Sequence, residues 1–146
     1  MASLKDIPLA FTLRSAQQTN ATAHNKEVAD RNEQFAKRFG AACDKYHENL
    51  INEVKRVIET SKKTTKTSAI LNDSNITGDI DGFSYATLLY GFWDRHTRKF
   101  DDSVFNKTNT DRPFYRAVTE LAKLGYKLEN ISDPSKSFRL FIKLSW

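Results

Sequence analysis

The stretch Asn25–Ser61, NKEVADRNEQFAKRFGAACDKYHENLINEVKRVIETS, decides how the rest of the chain is read. Val28, Phe35, Phe39, Ala42, Tyr46, Leu50, Val54 and Val57 recur every three or four residues, with one polar gap at Asn32. Cys43 and Ile58 widen this stripe, and the opposite face carries Glu27, Asp30, Arg31, Lys37, Arg38, Asp44, Lys45, Glu48 and Lys55. A 3.6-residue apolar period with a charged back is the pattern of an amphipathic helix. At 1.5 Å per residue such a helix spans about 55 Å. A compact chain of this size has a radius of gyration of about 15 Å. A straight helix would therefore outreach its own globule, and a second molecule would have to cover its stripe. Gly40 is the one place where the helix could break and fold back.

Working outward, residues 1–20 show no sustained period and are assigned to an N-terminal arm, whose IPLAFTL run could dock as a strand. The long helix takes residues 21–62. A polar linker, residues 63–82, follows, rich in β-branched and turn-forming residues. Residues 83–146 make a C-terminal module. Its first helix is expected over 84–98, with Ser84 as N-cap, Phe83 and Leu88 as a hydrophobic staple, and a weak point at Gly91. The run KFDDSVFNKTNT reads as a loop. A second helix, 112–124, starts near Pro113, points Phe114, Val118, Leu121 and Leu124 inward, and stops at Gly125.

Tyr126–Ser132 and Ser137–Trp146 flank DPSK, a turn sequence, and so predict a C-terminal β-hairpin. In the closing strand Phe138, Leu140, Ile142, Leu144 and Trp146 alternate with Arg139, Phe141, Lys143 and Ser145. The fold class is α+β: a long N-terminal amphipathic helix, then a small module of two helices packed on the hairpin. Leu121, Leu124, Tyr126, Leu128, Phe138, Leu140, Ile142, Leu144 and Trp146 are its expected core.

Composition removes several function classes. One cysteine, Cys43, precludes an intrachain disulfide. No run reaches the roughly 20 apolar residues of a membrane span, and no signal-peptide pattern is visible. An intracellular setting, or one within a virion, is therefore expected, with no membrane partner. The net charge of +5 is mild for a nucleic-acid binder. The positive excess sits in SKKTTKTS and in residues 112–146, where seven basic residues face three acidic ones.

Motifs with chemistry are few. Cys43 and His47 stand four apart on the helix but find no third ligand or orienting group, so they read as a buried thiol beside a surface imidazole. Asp73, Asn75, Thr77 and Asp81 approximate a calcium loop, but Ser84 stands where a bidentate Glu is needed. The stretch reads as an Asx-rich turn instead. No nucleophile elbow, zinc-protease or P-loop spacing occurs. Neither an enzyme, a metal site, a cofactor nor a small-molecule substrate is expected.

The expected function is a non-catalytic assembly or structural role. The long helix would self-associate or dock on a helical protein partner through Val28, Phe35, Phe39, Tyr46, Leu50 and Val54. The alternative is a nucleic-acid-binding module with the element order of a winged helix. Arg116, Lys123, Lys127, Arg139, Phe141 and Lys143 would then contact phosphates and bases. The plain reading of the same basic row is an edge strand protected from edge-to-edge pairing.

Overall fold

The computed structural model describes residues 6–77, 80, 82–132 and 141–146. The chain divides into two compact units, Met1–Lys37 and Arg38–Trp146. One helix, α1 (Ala10–Ser61), runs from the first unit into the second and passes through Gly40 without a break. It starts within the segment assigned to an arm. Ala10, Leu13, Arg14, Ala16, Gln17 and Gln18 are good helix formers, and no proline occurs between Ala10 and Ser61. Propensity thus sustains a helix there without an apolar period to signal it.

The described residues of the first unit, 6–37, are the first part of α1 and the few residues before it, and almost all of them are exposed. In the second unit the helix becomes the main wall of a core. Phe39, Ala42, Cys43, Tyr46, Leu50, Val54 and Val57 are all buried. The Phe39 ring lies 5.5 Å from Phe83, 5.5 Å from Phe105 and 6.4 Å from Phe92. Each fully buried Leu or Phe contributes about 1.5–3 kcal/mol relative to exposure. These residues, rather than the terminal hairpin alone, organise the module.

Beyond α1 come β1 (Ser68–Ile70), α2 (Asp73–Thr77) and α3 (Tyr85–Tyr90). Then follow β2 (Phe92–Asp94), β3 (Lys99–Asp101), α4 (Ser103–Lys107) and α5 (Pro113–Ala122). The last two strands are β4 (Lys127–Asn130) and β5 (Ile142–Ser145). The fold is mixed α+β, as the sequence predicts. The expected linker nevertheless contains an ordered strand and a short helix.

β4 and β5 pair antiparallel, with Leu128 opposite Leu144 and Asn130 opposite Ile142. β1 pairs with the other side of β5, Ala69 opposite Leu144, so the strand order is β1-β5-β4. The closing strand is therefore central, and the edge-strand reading of its basic residues is overturned. Leu121, Leu128, Ile142 and Leu144 take the core places expected of them. Leu124 does not: it is 73 % exposed, because it lies in the turn beyond the end of α5. Trp146 is 40 % exposed and sits one residue past β5, where its N–H donates to the Thr67 carbonyl at 3.0 Å. Tyr126 is half-buried. Phe138, Leu140 and the DPSK turn lie outside the described residues.

The helix expected over 84–98 stops at Tyr90. Ser84 caps it as expected, its Oγ accepting from the Thr87 N–H at 3.3 Å. Gly91 then turns the chain with φ of 99°, and a β-carbon there would stand 2.0 Å from the Asp101 carbonyl oxygen. Only glycine fits so close a backbone approach at positive φ. It places Phe92–Asp94 beside Lys99–Asp101 as a second, two-stranded sheet, with Trp93 opposite Phe100. The module therefore does not follow the winged-helix element order. At the end of α5, Gly125 adopts φ of 88°, and Tyr126 N donates back to the Leu121 carbonyl at 3.0 Å, the helix stop read from sequence.

Candidate interaction surfaces

The six helix residues expected to meet a partner fall in two groups. Phe39, Tyr46, Leu50 and Val54 are enclosed by their own chain, with 0–2 % exposure, and present no surface. Their cover comes from the second unit itself, which the sequence period could not reveal. Val28 remains 38 % exposed and Phe35 is half-buried. Further apolar side chains open to solvent lie in the first unit: Ile7, Leu9, Phe11 and Leu13 are each more than half exposed.

The face of α1 buried in the second unit has a seven-residue repeat that extends toward the N-terminus. Stepping back from Tyr46 and Phe39 gives Asn32, Asn25, Gln18 and Phe11; stepping back from Ala42 gives Phe35, Val28, Ala21 and Arg14. Between Gln18 and Phe35 polar amide layers alternate with small or apolar ones, and nearer the N-terminus the charged Arg14 interrupts the repeat beside Phe11. Around this face the segment 10–37 carries four Lys or Arg against three Asp or Glu, including a Glu33–Lys37 ion pair at 3.4 Å.

A second cluster lies where α1 and α5 meet in the second unit. His47 Nε2 is 2.9 Å from Glu120 Oε2, and Arg116 reaches Glu120 at 3.4 Å and Asp44 at 3.3 Å. Partial burial pushes the Glu120 carboxyl up, but the His47 and Arg116 contacts outweigh it and hold the group below its ordinary range. Beside it is a shallow cleft of about 600 Å³ lined by Asp102, Phe105, Arg112, Tyr115 and Glu120. The Arg112 guanidinium lies 5.2 Å from the Phe105 ring centre and 5.3 Å from that of Tyr115, and pairs with Asp102. Cation–π contact and ion pairing both fix this arginine. Cys43 is buried, and burial together with the Asp44 charge pushes its thiol up to about 12. It packs among the buried residues of α1.

The basic positions of the nucleic-acid alternative do not form one open row. Arg116 is engaged by two carboxylates, and Lys127 pairs with Glu129 at 3.5 Å. Lys143 is half-buried, opposite Glu129 on one side and Ile70 on the other. Phe141 is 38 % exposed, and its N–H donates to Ser132 Oγ. Lys123 is exposed at the end of α5. Arg139 lies outside the described residues.

The β2–β3 hairpin, read from sequence as helix and loop, is a separate surface. Trp93 is 52 % exposed and meets Phe100 edge-on at 5.0 Å; Phe100 in turn lies 5.1 Å from Tyr90. By strand alternation Phe92, Asp94, Lys99 and Asp101 take the other face. The connecting turn holds exposed Arg95, His96 and Arg98. Asp94 Oδ1 accepts from the N–H groups of His96 (2.8 Å) and Thr97 (3.4 Å), and Asp101 Oδ1 accepts from Ser103 N (3.0 Å). One oxygen of each carboxylate is thus taken by backbone, and Asp94 also stands opposite Lys99 across the hairpin. The signal that could have revealed this unit is glycine followed by FWDRHTRKF, two aromatic-bearing ends around a basic centre.

The calcium-like stretch is a helix from Asp73 to Thr77, preceded by an Asx turn in which Asn72 Oδ1 accepts from Ser74 N at 3.1 Å. Gly78, Asp79 and Asp81 lie outside the described residues. Among the described residues no group of three or more His, Cys, Asp or Glu is placed to hold a metal ion, and no helix is long and apolar enough to cross a membrane. Compared with known proteins, the chain matches no family model, no curated protein and no solved structure.

Proposed function

We propose that the chain is a non-catalytic assembly protein whose N-terminal helical segment pairs with the same segment of a second copy. The supporting observation is the continuation of the α1 stripe into the first unit, where Val28 and Phe11 are exposed on the face that carries the buried Phe39 and Tyr46 further on. A heptad face with apolar layers drives helix pairing, and buried amides such as Asn25 and Asn32 select register and copy number at a cost in strength. Mixed charges on residues 10–37 allow self-pairing without strong like-charge repulsion. The association is accordingly reversible rather than obligate. Within this reading the protein is a component of a larger intracellular assembly, with a virion among the settings that suit a basic chain carrying a helical extension.

Sedimentation equilibrium over a range of micromolar concentrations tests it. Wild type is expected to populate a dimer or higher oligomer. Val28→Glu together with Phe11→Glu should return it to monomer without lowering the melting temperature of the second unit. A strict monomer throughout, or an oligomer indifferent to both substitutions, rejects the reading.

A further inference from the structure

The β2–β3 hairpin owes nothing to helix pairing, and its chemistry points to a different occupant. We infer that it is a contact surface for single-stranded nucleic acid, in which Trp93 stacks on a base while Arg95 and Arg98 neutralise phosphates. Half of the Trp93 side-chain surface is open, although Phe100 and Tyr90 extend an aromatic row beneath it. Among the described residues neither arginine forms an ion pair, whereas Lys99 stands opposite Asp94 on the other face of the hairpin from Trp93. Asp94 and Asp101 keep their charge while one oxygen of each accepts from backbone N–H groups. The turn therefore presents two exposed arginines beside an exposed indole.

Aromatic faces stack any base, and nearby cations follow the backbone. A single strand matches both features, because its bases are accessible and its phosphates are closely spaced. A duplex hides its base faces and offers the indole nothing. An acidic peptide would satisfy the cations but leave the indole without a partner.

The test is fluorescence anisotropy of the full chain with labelled oligo(dT) and oligo(rU) 20-mers and a duplex of equal length, in low salt. Trp146→Phe serves as background, so that indole quenching reports Trp93 alone. Single strands should bind more tightly than the duplex and quench Trp93. Two phosphate contacts predict a loss of affinity of about sevenfold between 50 and 200 mM salt. Trp93→Ala should weaken binding about tenfold, whereas Trp93→Phe should retain most of it. Arg95→Glu with Arg98→Glu should abolish binding. These two lie on the exposed hairpin, so they remain informative if Trp93→Ala perturbs the fold by circular dichroism.

Four results would overturn the inference. They are no binding in 50 mM salt, equal affinity for duplex, loss of affinity in Lys127→Glu with Lys143→Glu but not in the hairpin variants, and equal competition by an acidic peptide or phosphatidylserine vesicles. None of them bears on oligomeric state, so the two proposals stand or fall separately.

Discussion

Glu53 Oε2 accepts a hydrogen bond from Asn75 Nδ2 at 2.8 Å, although 22 residues separate them and Glu53 is only 2 % exposed. The other carboxylate oxygen accepts from the Asn72 N–H at 3.0 Å, and the Arg56 guanidinium bridges both oxygens. This buried carboxylate is the bolt between α1 and the turn that follows β1. Charged hydrogen bonds of this kind contribute about 1.5–3 kcal/mol each when one partner is removed. Glu53→Ala, which removes the acceptor of all these bonds, is expected to lower the unfolding free energy by about 3 kcal/mol or more and Asn75→Ala, which removes one of them, by about 1.5–3 kcal/mol. Urea denaturation followed by circular dichroism measures both.

The same network sets the acid response. Burial pushes the Glu53 carboxyl up, but its bonds to Arg56, Asn72 and Asn75 prevail and hold it below the ordinary 4.5. Glu120 is shifted in the same direction, with a smaller effect because its side chain is 46 % exposed. A carboxyl lowered on folding stabilises fully above its unfolded value, and that contribution disappears as pH falls through the folded value. Unfolding free energy should therefore fall as pH drops below about 4.5. Glu53→Gln should flatten that decline; an unchanged acid slope would remove Glu53 as its source.

Gly91→Ala should be among the most damaging single substitutions. The added carbon would stand 2.0 Å from the Asp101 carbonyl oxygen, at a φ of 99° that L-residues rarely adopt. A loss of about 3 kcal/mol or more is expected, with the near-UV signal of the Trp93–Phe100 pair lost first. Gly40→Ala, whose new methyl would meet only Thr110 Oγ1 at 3.8 Å within a helix, should be neutral or raise the melting temperature slightly.

Two leucines separate the expected core from the observed one. Leu128→Ala should cost about 2–5 kcal/mol, as deletion from a packed core does. Leu124→Ala should stay within about 0.5 kcal/mol of wild type, as an exposed position does. Thermal melts of the pair decide this. Equal losses would mean that Leu124 is covered.

Tyr46 is fully buried, and its hydroxyl has no hydrogen-bond partner among the described residues. Burial pushes its ionisation well above the ordinary phenol value, so it stays neutral. An unmade buried hydrogen bond costs about 1–3 kcal/mol, so Tyr46→Phe should leave stability unchanged or raised. A clear loss would reveal a partner for the hydroxyl.

What the sequence made legible follows from which signals are local. The 3.6-residue period over Val28–Val57 identified the helix, and the two-residue alternation from Phe138 to Trp146 identified a strand whose described part is β5. Ser84 and Gly125 marked element ends because capping and left-handed stops depend on single residues. The period could not say what covers the stripe, since burial by the same chain and by a partner leave identical patterns. β1 escaped notice because three residues pairing with β5 carry no periodic signal. The β2–β3 hairpin was masked because Tyr85–Trp93 also satisfies a helical spacing, and only the close approach at Gly91 breaks it. Arg116 lost its openness to Glu120 of its own helix and to Asp44 of α1, and Lys127 to Glu129 of its own strand; of these only the Asp44 contact is long-range and leaves no local signal.

The pairing of Ala69 with Leu144 has a consequence for how the molecule reaches its native state. Helical turns close in well under a microsecond, whereas strands far apart in the chain must wait for a large loop to close. α1 can therefore wind before the three-stranded sheet exists, leaving Phe39, Tyr46 and Leu50 temporarily bare. During that interval the future core is sticky, and refolding yield should fall as protein concentration rises.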